Sequence, residues 1–134
     1  MAFTTYSALM SALGSLSVTG VTRTSASAPR QLNTADLPYM FPRVPAGESE
    51  VATLVGGRGL RQATAELVIV VEPVLQNVHS ANVSAVAALV DNLDTALADN
   101  VNDLGLDGWS LRVEQDLVGD TAYWMLVATL EVSG

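Results

Sequence analysis

Near the start of the chain, Tyr6, Leu9, Met10, Leu13 and Leu16 recur at three- and four-residue intervals. That spacing places apolar side chains on one face of an α-helix. Thr4 or Thr5 supplies a hydroxyl to cap its free N–H groups, Gly14 weakens its last turn, and Gly20 lies beyond it. Val18–Thr24, rich in Val and Thr, predicts a strand. Ser25–Gln31 has no period and predicts a loop. Pro38, Pro42 and Pro45 then punctuate Leu37–Ala46. Proline cannot donate to a ladder, so this stretch predicts an edge strand at best, anchored by Tyr39, Phe41 and Val44.

The next apolar positions predict a hairpin, with Glu48–Val55 and Leu60–Ala65 as arms and Gly56-Gly57-Arg58-Gly59 as tip. Glu66–Glu72 predicts the central strand. Its unbroken centre, Leu67-Val68-Ile69-Val70-Val71, needs cover on both faces. Pro73 ends it. A long helix is expected from Ser80 to Val101, with Val83, Val86, Ala87, Val90, Leu93 and Leu97 as its apolar stripe and Ser84, Asp91, Thr95 and Asp99 away from it. Asn82-Val83-Ser84 matches a glycosylation acceptor but falls within that helix. Trp109–Val118 alternates, with Trp109, Leu111, Val113 and Leu117 on one side and Ser110, Arg112, Glu114 and Asp116 on the other. Gly119-Asp120 suits a tight hairpin link to a return strand, Ala122–Val132.

The order of these elements predicts one α+β domain over residues 1–134. A mostly antiparallel sheet would carry the short N-terminal and long central helices on one face, with a projecting β-hairpin. Leu67, Ile69, Val70, Val90, Leu93 and Trp109 are the expected core.

Composition narrows the chemistry. At 49% hydrophobic and 15% charged, the chain can build one packed core. No apolar run approaches the roughly 18 residues of a membrane span, and Met1–Gly20 lacks the basic start of a secretory leader. Cysteine is absent, which excludes disulfides, thiolate metal sites and thiol catalysis. Lysine is absent too, and His79 is the sole histidine.

Gly57-Arg58-Gly59 begins like a dinucleotide fingerprint, but Gln62 holds the third glycine position and no helix follows. Asp99, Asp103 and Asp107 are evenly spaced, yet calcium-loop registers starting at Asp99 or Asn100 place Val101, Leu104 or Leu111 where oxygen ligands belong. Asp91 and Asp94 lie three apart on a helix, as paired acids of a small hydrolase would, but no base or glycine-rich loop completes a site. The residues therefore assign no catalytic, cofactor-binding or metal role, and no enzyme activity is expected.

Charge is unevenly distributed. Residues 1–65 carry five Arg against three acids, a balance of +2, and residues 66–134 carry one Arg against eleven acids, a balance of −10. Such a chain is ill suited to clamping nucleic acid, but opposite ends suit head-to-tail association of identical subunits. Arg43, Arg58 and Arg61 are candidate contacts to a neighbouring subunit, with Asp91, Asp94, Asp99, Asp103 and Glu114 as acceptors. The glycine-rich hairpin tip is expected to become ordered only against such a neighbour.

Three stretches carry a family likeness. They are Leu32-Asn33-Thr34-Ala35-Asp36-Leu37-Pro38-Tyr39-Met40-Phe41-Pro42-Arg43-Val44, then Ala65-Glu66-Leu67-Val68-Ile69-Val70-Val71-Glu72-Pro73 leading to the long helix, and the closing Trp109–Val132 hairpin. In element order and length the chain resembles the tail-terminator and tail-completion proteins of long-tailed bacteriophages, the lambda-type minor tail family. The resemblance implies a structural virion protein without cofactors, made in the host cytoplasm. It would form a ring, usually a hexamer, at the head-proximal end of the tail tube, and the contacts of Arg43, Arg58, Arg61 and the hairpin tip would be to a neighbouring subunit or to that tube. The ring would end polymerisation of the tail tube protein, meet a neck or connector protein, and let genomic DNA pass through its lumen without sequence-specific binding or any membrane partner. A head-completion or neck adaptor, and a ligand-binding α+β module outside phage, are the alternative readings.

Overall fold

The computed structural model describes residues 6–44, 51–53, 60–74 and 83–133, with 51–53, 60–62 and 133 described in backbone only. Helix α1 spans Tyr6–Gly14, and the strands are β1 (Arg23–Thr24), β2 (Tyr39–Arg43), β3 (Val51–Thr53), β4 (Leu60–Pro73), β5 (Leu106–Val118) and β6 (Thr121–Ser133). Helices α2 (Val83–Asp99) and α3 (Val101–Leu104) separate β4 from β5. The sheet runs β1-β2-β4-β6-β5, and β3 pairs with β4 beside the end of β2. Every pairing is antiparallel except β1 with β2. The architecture is the expected α+β domain.

β4 organises the molecule. Leu67, Ile69 and Val71 point to the face covered by α1 and α2, where Leu9, Leu13, Leu89, Leu93 and Leu97 close the main core with Leu126, Ala128 and Leu130 of β6. Val68 and Val70 point the other way, into a smaller cluster with Phe41, Tyr123, Met125 and Val127 that Leu32 and Leu37 help cover. Thus the apolar run of β4 is buried on both sides, as its composition requires.

Several expectations change. Val18–Thr24 contributes only the two residues of β1, because the chain turns at Thr19–Gly20, where Gly20 adopts φ +92°; Val18 is buried from that turn. The second hairpin arm and the central strand are one strand of 14 residues. β6 pairs along it from Gln62 to Pro73, absorbing a bulge between Val70 and Glu72, so nothing interrupts it at Ala65–Glu66. The buried stripe of α2 is Val86, Leu89, Leu93, Ala96 and Leu97. It turns toward the bulkier Leu89, leaving Ala87 exposed and Val83 77% exposed. On β5 the packed face ends at Leu111; Val113 and Leu117 are exposed. Val44 is exposed also, while Val90 and Trp109 are half-buried against the core. The Ser80 start of the long helix, His79 and the tip Gly56–Gly59 lie outside the described residues.

β2 shows how proline fits a ladder. Thr22 and Ser25 donate to the Pro38 and Met40 carbonyls from the outer side. By alternation the nitrogen of Pro42 also faces outward, so its missing N–H costs no bond to β4. β2 lies one strand in from the edge, but β1 covers only Tyr39 and Met40.

Candidate functional site

On the second sheet face, beyond the small apolar cluster, three strands bring charges together. Arg43 on β2 stands directly opposite Glu66 on β4, and Arg112 and Glu114 reach the same place from β5. Arg43 Nε donates to Glu66 Oε1 at 2.6 Å, and Arg112 Nη2 donates to Glu66 Oε2 at 2.8 Å. Arg43 Nη2 donates to Glu114 Oε1 at 2.8 Å, and Arg112 Nε donates to Glu114 Oε2 at 3.3 Å. The result is a closed ring of alternating cations and anions. Arg112 Nη1 adds a bond to Thr129 Oγ1 on β6 at 2.8 Å, and Arg43 Nη1 lies 3.7 Å from Asp116 Oδ2.

Glu66 is only 7% exposed. Burial pushes its carboxyl up, but hydrogen bonds from Arg112 and Arg43 outweigh this and hold it below the usual carboxylate range. Burial also lowers the affinity of Arg43 for its proton, and its bonds to Glu66 and Glu114 overcome that, so its pKa is raised. Chemically the ring is saturated: each carboxylate oxygen of the two Glu accepts a guanidinium N–H. Its work is to lock β2, β4, β6 and β5 in register.

The remaining candidates are distributed differently. Asp91, Asp94 and Asp99 lie on α2 and Asp103 on α3, all exposed. Asp94 Oδ1 accepts the indole N–H of Trp109 at 2.9 Å, fastening α2 to β5. Asn92 Nδ2 donates to Thr19 O at 2.9 Å, and Tyr6 Oη donates to Thr64 O at 2.9 Å, tying the two helices to the rest of the fold. Asp99, Asp103 and Asp107 fall on three successive elements, α2, α3 and β5. Arg61 lies on β4 within its backbone-only part, and Arg58 is outside the described residues. Of the eight proposed contacts, the structure brings together Arg43 and Glu114. It adds Glu66 and Arg112, which sequence reasoning passed over as a strand flank and a polar-face residue. The register of β2 on β4 was the missing signal.

A cleft of about 700 Å³ lies between the segment Arg30–Leu32 and the β5–β6 turn, with Tyr123 in its wall. Among the described residues, no helix is long and apolar enough to cross a membrane.

No family model matches this chain, and no curated protein matches it.

Proposed function

We propose that the chain is a structural subunit of a tailed-bacteriophage tail, a terminator that forms a ring, usually hexameric, on the head-proximal end of the tail tube. The ring would end tube growth and join the tail to the neck protein. The observation that carries this reading is the charge of α2 and α3, where Asp91, Asp94, Asp99 and Asp103 are exposed without an intervening basic residue. Exposed acids of one sign can accept arginines of a neighbouring subunit, which suits head-to-tail closure of a ring. The resemblance in element order to the lambda-type minor tail proteins supports the same reading.

Within it, Arg43 and Glu114 act inside the subunit, since their charged atoms are engaged in the ion-pair ring. Contacts between subunits are left to Arg58 and Arg61 on one side and the α2–α3 acids on the other. The test is negative-stain imaging of the purified protein alone and with polymerised tail tube protein. Six-fold rings seated on tube ends, with shortened tubes, are the expected result. Tubes of unchanged length with bare ends would overturn the reading.

A further inference from the structure

β5 is the last strand of the sheet. β6 holds one edge of it, and among the described residues no strand pairs with the other. The hairpin register fixes which groups face that open edge. Val118 and Thr121 close a two-residue turn and form a hydrogen-bonded pair. By alternation Ser110, Arg112, Glu114 and Asp116 also direct their backbone groups to β6, while Trp109, Leu111, Val113, Gln115 and Leu117 direct theirs outward. Leu117 agrees: its N–H donates to the side chain of its neighbour, Asp116 Oδ1, at 2.8 Å.

Open edges are usually blunted by proline, lysine, bulges or brevity. β5 has 13 residues, neither proline nor lysine, and a bulge only at its start, between Leu106 and Gly108. It also exposes apolar side chains, with Val113 at 41% and Leu117 at 64%. The opposite edge of the sheet is a poor match for it, because β1 has two residues and Pro42 presents no N–H on the outer side of β2.

The sequence of β5 fits another copy of itself. In an antiparallel pairing with Val113 opposite Val113, each outward-facing residue meets an outward-facing one, so the backbone groups pair. Arg112 then stands opposite Glu114, and Glu114 opposite Arg112. Ser110 faces Asp116, and the exposed Leu117 faces Trp109. Moving the centre by one residue sets Arg112 against Arg112 or Glu114 against Glu114, and like charges directly opposite are destabilising. The Arg112 and Glu114 side chains already have partners within their own subunit, so the opposition across the axis sets the register without replacing those pairs.

We propose that β5 pairs with β5 of a second copy about a two-fold axis at Val113, joining the two sheets into one. This pairing stands apart from the ring reading, whose contacts are head-to-tail and use other surfaces.

The test combines mass with register. Sedimentation equilibrium of the full chain is expected to give at least twice 14.0 kDa, and Val113→Lys, which sets two cations face to face, is expected to halve that mass. Far-UV circular dichroism and an unchanged unfolding midpoint would show that the variant is folded. Hydrogen-bonded strand positions lie about 5.5 Å apart between Cα atoms, within disulfide range. Since the chain has no cysteine, Val113→Cys is expected to give a covalent dimer on mild oxidation. Gln115→Cys, whose facing residue is Leu111, is expected to remain uncross-linked. A wild-type mass of 14.0 kDa, an assembly unchanged by Val113→Lys, or equal cross-linking of the two cysteine variants would each overturn the proposal.

Discussion

Glu66 shows how much one side chain depends on residues far away in the chain. Its two oxygens are held by guanidinium groups 23 and 46 positions distant. Removing one partner from a buried ion pair leaves the other partner's charge uncompensated, which costs more than the intact pair contributes. Glu66→Gln keeps the shape but turns an amide N–H₂ toward an arginine, and is expected to destabilise the fold by about 2–4 kcal/mol in urea unfolding. A pH dependence follows from the lowered pKa of Glu66. Above the carboxylate's unfolded value, about 4.3, the stabilisation is fully present; it is lost as pH falls through the lower, folded value. Unfolding midpoints of the wild type should therefore decline on acidification, and Glu66→Gln should flatten that acid limb. An acid limb of equal slope in both proteins would show that Glu66 is not its source. The ring was only half legible in the sequence. Arg43 and Glu114 stand out as charges, but no local spacing links four residues drawn from three strands, and Glu66 reads as the polar boundary of an apolar run.

Elements were easier to read where periodicity and burial coincide. Leu67 to Val71 reads as a strand covered on both faces, and Gly119-Asp120 suits a tight link, as the structure has them, with Gly119 at φ +62°. Ile69, fully buried at the centre of β4, gives the sharpest test. Ile69→Asp would place an unpaired charge there at a cost of several kcal/mol, comparable with the whole stability of a small domain. The expected outcome is loss of the cooperative thermal transition; a soluble variant melting like the wild type would contradict the central-strand assignment. Where the sequence misled, tertiary packing had the final word. α2 offers apolar residues around more than half its circumference, so its own pattern does not choose between Ala87 and Leu89. The sheet beneath chose the bulkier one. Likewise, alternation on β5 continues past Leu111 although the helices above it do not, and periodicity alone cannot report where a covering layer ends.

Over the whole molecule, charge is separated by layer as well as by position in the chain. Arg43 and Arg112 are neutralised on the second sheet face, while exposed Asp residues are carried by the helices α2 and α3. If rings form through Arg58, Arg61 and those acids, each contact is an exposed ion pair contributing about 0–1 kcal/mol, repeated at every interface. Salt screens such pairs over about 10 Å at 0.1 M. Sedimentation velocity is expected to show the ring dissociating as salt rises, while a β5–β5 pair, held mainly by backbone bonds and apolar contact, persists. A ring indifferent to salt would exclude electrostatic assembly.

The continuity of β4 also has a mechanical consequence. Over 14 residues the strand is about 45 Å long. One end pairs with β3, and the middle lies between β2 and β6. Its hydrogen bonds run across the strand axis. A tug on the Leu60 end is therefore a shearing load, shared by many bonds at once instead of opening them one after another. Whatever grips β3 and the start of β4 pulls directly on the central strand of the sheet, and force enters the core without first bending a hinge.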